Sequence, residues 1–288
     1  MASWICVACG LEYGPGDNRG AVHETTATTD ADPPPERCII CSEERQYVPP
    51  SGQDWTTSER QEAAGTIATL VELEPGLHQM TVTPRIGIGH KPLLVQTSAG
   101  TVLWEPPGFI SPAAIDAVRR LGGITAIAGS HPHLMGAMVS WSRAFGDVPI
   151  YFNAADEKWI VYPEPWIALW SGEVTVLPGI RLVQCGGHFA GSCVLLWEGG
   201  AEGAGVVLTG DTVFIGPDNK TISVMRSYPN RIPLPEGAVN QIRDRLEPLS
   251  YDRMYGPFGE VVTTGARAIV RESLERYIRW IRGDVDDW

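Results

Sequence analysis

The sequence predicts an α/β protein with a small N-terminal four-cysteine metal ribbon, and three observations predict it. From Gly65 onward, apolar runs of strand length alternate with longer amphipathic segments of helical period. Two Cys-x-x-Cys pairs, Cys6-Val7-Ala8-Cys9 and Cys38-Ile39-Ile40-Cys41, fall inside the first 41 residues. The pair His131-Pro132-His133 follows the apolar run from Ile124 to Gly129, which places two imidazoles in a loop at the end of a buried strand.

At 288 residues the length suits one large domain with a small appendage. We divide it into a ribbon at 1–50, a linker at 51–64 and the main domain at 65–288. A net charge of −12 argues against a nucleic-acid partner, because phosphate contacts need clustered Lys and Arg. No apolar run reaches the roughly 18 residues that span a bilayer, so no membrane partner is expected. The start, Met1-Ala2-Ser3-Trp4, lacks the basic and apolar regions of a secretory signal, which points to the cytoplasm and to reduced cysteines.

Each Cys-x-x-Cys pair wraps a tight turn that offers two thiolates to one ion, and Cys6, Cys9, Cys38 and Cys41 together complete a tetrahedral structural site. The stretch between them, Glu12 to Arg37, is polar and cannot build a core, so the ion would be its main organiser. Trp4-x-Cys6-x-x-Cys9-Gly10-x-x-Tyr13 resembles the opening of a rubredoxin, a resemblance that implies iron and electron transfer. The second rubredoxin knuckle normally carries Pro and Gly, and Cys38-Ile39-Ile40-Cys41-Ser42 has neither. A zinc ribbon is the preferred reading.

After the Pro49-Pro50-Ser51-Gly52 connector, residues 66–73 and 77–82 read as strands joined at Glu74-Pro75-Gly76. A second strand pair spans 93–97 and 101–104. Ser111-Pro112 starts a helix with Ser at the N-cap, Pro at N1 and Ile115, Val118 and Leu121 on one side; Gly122-Gly123 ends it. Residues 134–145 read as one helix, with Met138, Trp141 and Phe145 facing a core. A short strand spans 149–153. Asp156 and Glu157 read as the solvated acidic start of a helix. Trp159, Trp166 and Trp170 either line a cleft or cover the sheet. Residues 174–209 read as four strands and 221–225 as another. Two amphipathic helices, 235–246 and 265–282, close the chain, the second burying Ile269, Leu274, Tyr277 and Ile281.

The order strand, His131-x-His133, strand, Gly186-Gly187-His188, strand, Gly210-Asp211 resembles the metallo-β-lactamase fold superfamily, which includes glyoxalase II-like and lactonase-like hydrolases. The similarity covers residues 65 to 282. It implies an αββα four-layer sandwich and a metal site of His131, His133, His188 and Asp211. The superfamily motif continues His-x-His-x-Asp-His, its last two residues serving a second metal; Met135 and Gly136 stand there in this chain. A late histidine is also usual, and Gly256-Pro257-Phe258-Gly259 supplies none. The resemblance therefore implies a mononuclear site.

Three neutral imidazoles around zinc leave a position for water and lower its pKa to about 7. Asp211 would be a fourth ligand or a catalytic base orienting that water. Iron or manganese also suits three histidines and an aspartate. The leading expectation is a metal-dependent hydrolase of a small ester, lactone or thioester. An iron-dependent redox protein or dioxygenase of the same fold is a second reading, and a degenerate metal-binding interaction module a third. Tyr228 and Arg231 are candidates for orienting substrate. Cys185 and Cys193 read as inert buried thiols, and His23, His78 and His90 as surface or core histidines.

Overall fold

The computed structural model describes residues 3–14 and 33–285. His23 and most of the loop between the cysteine pairs lie outside the described residues. Near the N-terminus, β1 (Trp4–Cys6) pairs antiparallel with β2 (Glu12–Tyr13) and with β3 (Trp55–Thr56), and α1 follows at Ser58–Ala63. The stretch expected to be a connector thus contributes a strand and a helix.

The first large sheet comprises β4 (Ile67–Glu74), β5 (Leu77–Thr83), β6 (Leu93–Thr97), β7 (Gly100–Trp104), β8 (Ala126–Ala128), β9 (Ile150–Asn153) and β10 (Ile167–Trp170). They lie in sequence order across the sheet, antiparallel from β4 to β7 and parallel from β7 to β10. In the second sheet β11 (Glu173–Leu177), β12 (Ile180–Gln184), β13 (Cys193–Trp197) and β14 (Val206–Leu208) form an antiparallel meander. The small hairpins β15 (Phe214–Ile215)–β16 (Ile222–Ser223) and β17 (Met225–Ser227)–β18 (Ile232–Pro233) follow. β19 (Arg253–Tyr255) then returns parallel to β14, with β20 (Val261–Val262) outside it.

Helices cover both outer faces. α2 (Pro112–Arg120) and α3 (Met138–Ala144) share one apolar cluster with the first sheet, and α4 (Glu236–Leu246) and α5 (Ala266–Arg282) share another with the second. Between the sheets lies a third cluster around Trp104, Val176, Leu195 and Leu208. This is the expected αββα sandwich. Cys6, Cys9, Cys38 and Cys41 belong to the same apolar cluster as α2 and α3, so the ribbon packs into that layer. The Glu12 N–H donates to the Gly136 carbonyl at 3.0 Å, and the Glu12 carboxylate accepts from the Ser140 N–H and hydroxyl.

α2 starts as its caps dictate: Ser111 Oγ accepts from the Ala114 N–H, with Pro112 in the first turn. Three expectations are corrected. Residues 134–145 are not one helix; a 3₁₀ turn at Pro132–Leu134 and α3 are separated at Met135–Gly136. Gly136 adopts φ 39°, and a Cβ there would lie 2.1 Å from the Pro106 carbonyl oxygen, so a close backbone approach overrides helical propensity. Along α5 the buried stripe runs through Ala266, Val270, Leu274 and Ile278, and Ile281 turns outward. Asp156, in a 3₁₀ turn at Ala154–Trp159, is buried rather than solvated. Among the described residues no helix is long and apolar enough to cross a membrane.

Candidate metal centre

Parallel pairing of β7, β8 and β9 delivers the loop after β8 to one end of the sandwich, and the loop between β12 and β13 and the turn after β14 meet it there. They carry His131 and His133, His188, and Asp211, all buried. Their ligand atoms lie within 4.8 Å of one another. His131 Nε2 is 3.6 Å and His188 Nε2 3.9 Å from Asp211 Oδ2. A tetrahedral ion with bonds of about 2.0–2.1 Å sets its donors about 3.4 Å apart, close to these separations.

The Nε2 atoms of His131, His133 and His188, and Oδ1 of Asp211, have no hydrogen-bond partner in the protein although all are buried. Buried polar atoms are costly to leave unpaired, so three unpaired imidazole nitrogens gathered around one Asp211 carboxylate oxygen mark a place for an ion. The other ring nitrogens show why lone pairs face inward. A carbonyl only accepts, so His188 Nδ1, 3.2 Å from the Met225 carbonyl, carries the proton and leaves Nε2 as a lone pair. His131 Nδ1 lies 2.8 Å from Ser130 Oγ, which is 2.5 Å from Glu105 Oε1. The single hydroxyl proton goes to Glu105 Oε1, so the hydroxyl oxygen accepts from Nδ1–H of His131. This histidine–serine–carboxylate relay also holds Nε2 unprotonated.

Electrostatics point the same way. Burial, reinforced by the neighbouring imidazoles, holds His131 and His133 well below the usual imidazole range. Burial likewise takes His188 down to about 4. It pushes Asp211 up to about 7, with Glu260 adding to the effect, and Glu105 up to about 8. The imidazoles are neutral, as metal ligation requires, and the buried carboxylate lacks a counter-charge that a cation would supply.

Gly210 permits this approach. It sits at φ 49°, and a Cβ would fall 2.0 Å from Ser130 Oγ. At the position a second ion would need, Gly136 is closed off by the Pro106 and Pro107 backbone, and Met135 is buried in the apolar cluster with its sulfur over Gly129. Among the described residues no other His, Cys, Asp or Glu joins the set.

A cleft of about 230 Å³ opens beside the cluster, reaching His133 and Asp211 and walled by Arg45, Ile88, Phe214, Tyr228 and Phe258. Tyr228 lines the cleft: its hydroxyl donates to the Asp211 carbonyl and its ring lies 5.5 Å from that of His188. Arg231 is exposed in the turn between β17 and β18 and is not among the lining residues. The three tryptophans cover structure rather than the cleft: Trp159 abuts Phe189, Trp166 meets Arg143, and Trp170 lies between the sheets.

Sequence reasoning missed Glu105 and Arg45, and read Asp156 as solvated. A charged residue ending the apolar run 102–104 was the available signal for Glu105. Arg45 gave none, since its contact with the His188 carbonyl spans 143 residues. Asp156 and Asn153 line a small cavity of about 10 Å³ behind His131, with Asp156 Oδ2 and Asn153 Nδ2 lacking protein partners.

In the ribbon, Cys6 Sγ lies 3.6 Å from Cys41 Sγ and Cys9 Sγ 3.6 Å from Cys38 Sγ. A disulfide requires about 2.05 Å, whereas four thiolates around an ion with bonds of about 2.3 Å stand about 3.8 Å apart. The Tyr13 hydroxyl and the Gln53 amide donate to Cys38 and Cys6 sulfurs. Hydrogen bonding among the thiols pulls Cys6 below the ordinary range and pushes Cys9 and Cys41 above it. Cys185 and Cys193 are buried and free, and burial pushes Cys185 up to about 12.

One curated relative decides the family. The chain is 37% identical over 287 residues, 99% of both chains, to the uncharacterized protein YmaE of Bacillus subtilis (strain 168). The chain belongs to the YmaE family. No protein-family model matches it. For the fold of this YmaE relative, solved structures give the frame. DIM-1 metallo-beta-lactamase exposed to ceftazidime superposes with a TM-score of 0.54 at 14% identity, covering 73% of this chain and 97% of that one. VMB-1 at pH 5.5 gives 0.53 at 15%, covering 74% and 98%. The YmaE-family chain thus has the metallo-β-lactamase fold, joined to a four-cysteine cluster.

Proposed function

We propose that this YmaE-family protein is a metal-dependent hydrolase with a mononuclear centre, acting on a small ester, lactone or thioester. The observation that carries the reading is the convergence of three buried, unpartnered imidazole nitrogens, from His131, His133 and His188, on a carboxylate oxygen of Asp211 beside an apolar-walled cleft. Those residues would hold zinc, or iron or manganese, and Cys6, Cys9, Cys38 and Cys41 a structural zinc. A bound ion at the histidine centre supplies a water acidic enough to ionise near neutral pH and polarises a carbonyl oxygen.

The protein's own contribution is orientation and exclusion. Ser130 and Glu105 fix the His131 ring, and the Met225 carbonyl fixes His188. Asp211, held at its main chain by Tyr228, keeps one carboxylate oxygen free to orient an attacking water. Ile88, Phe214 and Phe258 give the cleft an apolar wall beside His133 and Asp211.

Elemental analysis of the wild type and of a His131→Ala/His188→Ala variant tests the reading, with a panel of small esters, lactones and thioesters. Two ions per chain falling to one, with hydrolysis lost, is the expected result. One ion per chain in both proteins would refute it.

A further inference from the structure

The second cysteine knuckle does not end at Cys41. Ser42 N–H and hydroxyl both donate to the Cys38 carbonyl, Glu43 N–H to Ile40, and Gln46 N–H to Glu43. The turn that begins at the cysteines therefore continues through Gln46, and Arg45 lies four residues beyond Cys41. The Glu43 carboxylate fixes Arg45 by accepting from its backbone N–H at 2.8 Å and its Nε at 2.7 Å.

Arg45 Nη1 then donates to the His188 carbonyl at 3.0 Å. Its guanidinium lies 3.5 Å from the centroid of Phe189, and that ring packs 4.8–5.4 Å from all three imidazoles. The same short segment also grips the other side of His188. The Glu44 carbonyl accepts from Ser227 Oγ and Asn230 Nδ2, each at 2.7 Å, and Arg226 pairs with the Glu43 and Glu44 carboxylates. These contacts fix β17, whose Met225 carbonyl orients the His188 ring. Main chain and ring of one histidine are thus both tied to residues 43–45.

We propose that the four-cysteine module is a positioning device for the histidine centre. Residues 43–46 clamp His188, Arg45 is the positioning residue, and an ordered cysteine knuckle sets how tightly His131, His133, His188 and Asp211 hold their ion. The inference rests on the reading of those four residues as a metal site. A module serving only as cover would bury surface; this one directs hydrogen bonds at a candidate ligand and at the strand that orients it. Partners that orient a ligand typically contribute 10–100-fold to metal affinity.

The test uses the full chain, stripped of metal and titrated with cobalt(II) against a competing chelator. Thiolate-to-cobalt charge transfer reports the cysteine site, and the ligand-field bands lost in His131→Ala/His188→Ala report the histidine centre. Arg45→Ala is expected to weaken cobalt binding at the histidine centre about 10–100-fold while the charge-transfer titration stays unchanged, and Arg45→Lys to recover part of the loss. Cys38→Ser/Cys41→Ser is expected to weaken the histidine centre at least as much; if that chain does not fold, Arg45→Ala decides. Histidine-centre affinity in Arg45→Ala within twofold of wild type would overturn the positioning role. Wild type lacking the histidine-centre bands altogether would overturn the metal reading beneath it, a distinct result.

Discussion

Replacing Ser130 by Ala tests the relay that prepares His131. The hydroxyl is the one link between His131 Nδ1 at 2.8 Å and the Glu105 carboxylate at 2.5 Å, and all three groups are buried. Alanine leaves an imidazole N–H without an acceptor, while the Glu105 carboxyl keeps its bond from the Ser130 backbone N–H. A buried unsatisfied group costs about 1–3 kcal/mol, so the metal-free protein should lose about 1–3 kcal/mol. An unfolding entropy of about 2.1 cal/mol/K per residue gives roughly 0.6 kcal/mol/K for a chain of 288 residues, hence a fall of about 2–5 °C in Tm. The variant should also bind its histidine-centre ion about 10–100-fold more weakly, because His131 is no longer held in the Nδ1–H tautomer. Thermal melts of the stripped protein and chelator competition of the loaded protein measure the two effects. A variant that melts within 1 °C of wild type and binds metal within about twofold would refute the relay.

Gly136→Ala should cost several kcal/mol, since its Cβ would meet the Pro106 oxygen at 2.1 Å from a left-handed backbone; Gly136→His should likewise lower Tm without adding an ion by elemental analysis. Burial raises Asp156 from an ordinary 3.8 to about 6, so the native carboxyl keeps its proton to higher pH than the unfolded one. The Asp156 contribution to stability should therefore fall as pH rises from about 4 to about 6, by at most about 3 kcal/mol, and be spent above. Asp156→Asn should lack that descent, and parallel Tm–pH curves for the two proteins would count against the assignment. Stripping the cysteine ion should lower Tm by more than His131→Ala/His188→Ala does, because it organises a segment with little core of its own; equal midpoints would make the ribbon self-supporting.

The fold was legible where local pattern and global packing agree. Ser111-Pro112 names a helix start in its own chemistry, and the runs around Ile127, Leu195 and Val207 are apolar because both their faces are covered. Prediction failed where a distant backbone intervened. Residues 134–145 have helical periodicity throughout, yet the Pro106–Pro107 chain passes so close to Gly136 that the helix breaks there, which nothing within those residues records. α5 shows a milder version: Ile281 fits the apolar period, but the buried stripe ends at Ile278 and Ile281 is exposed.

The site divides along the same line. The candidate ligand residues are legible because a metal would constrain residue type: nitrogen and oxygen donors would stand in loops at strand ends, with glycines that let those loops converge, as Gly210 does against Ser130. Residues that orient ligands carry no such constraint on type. Glu105 is an acid after a strand, Arg45 a cation after a knuckle and Asp156 an acid in a turn, each of which reads as ordinary solvated surface until the fold buries it. The cysteine knuckle and the Gly-Gly-His loop are separately visible in the sequence, but their meeting is a tertiary fact that rests on Arg45 Nη1 reaching the His188 carbonyl. What this chain adds to its fold therefore lies in that contact, and both the stability and the metal affinity of the histidine centre should depend on the first 46 residues.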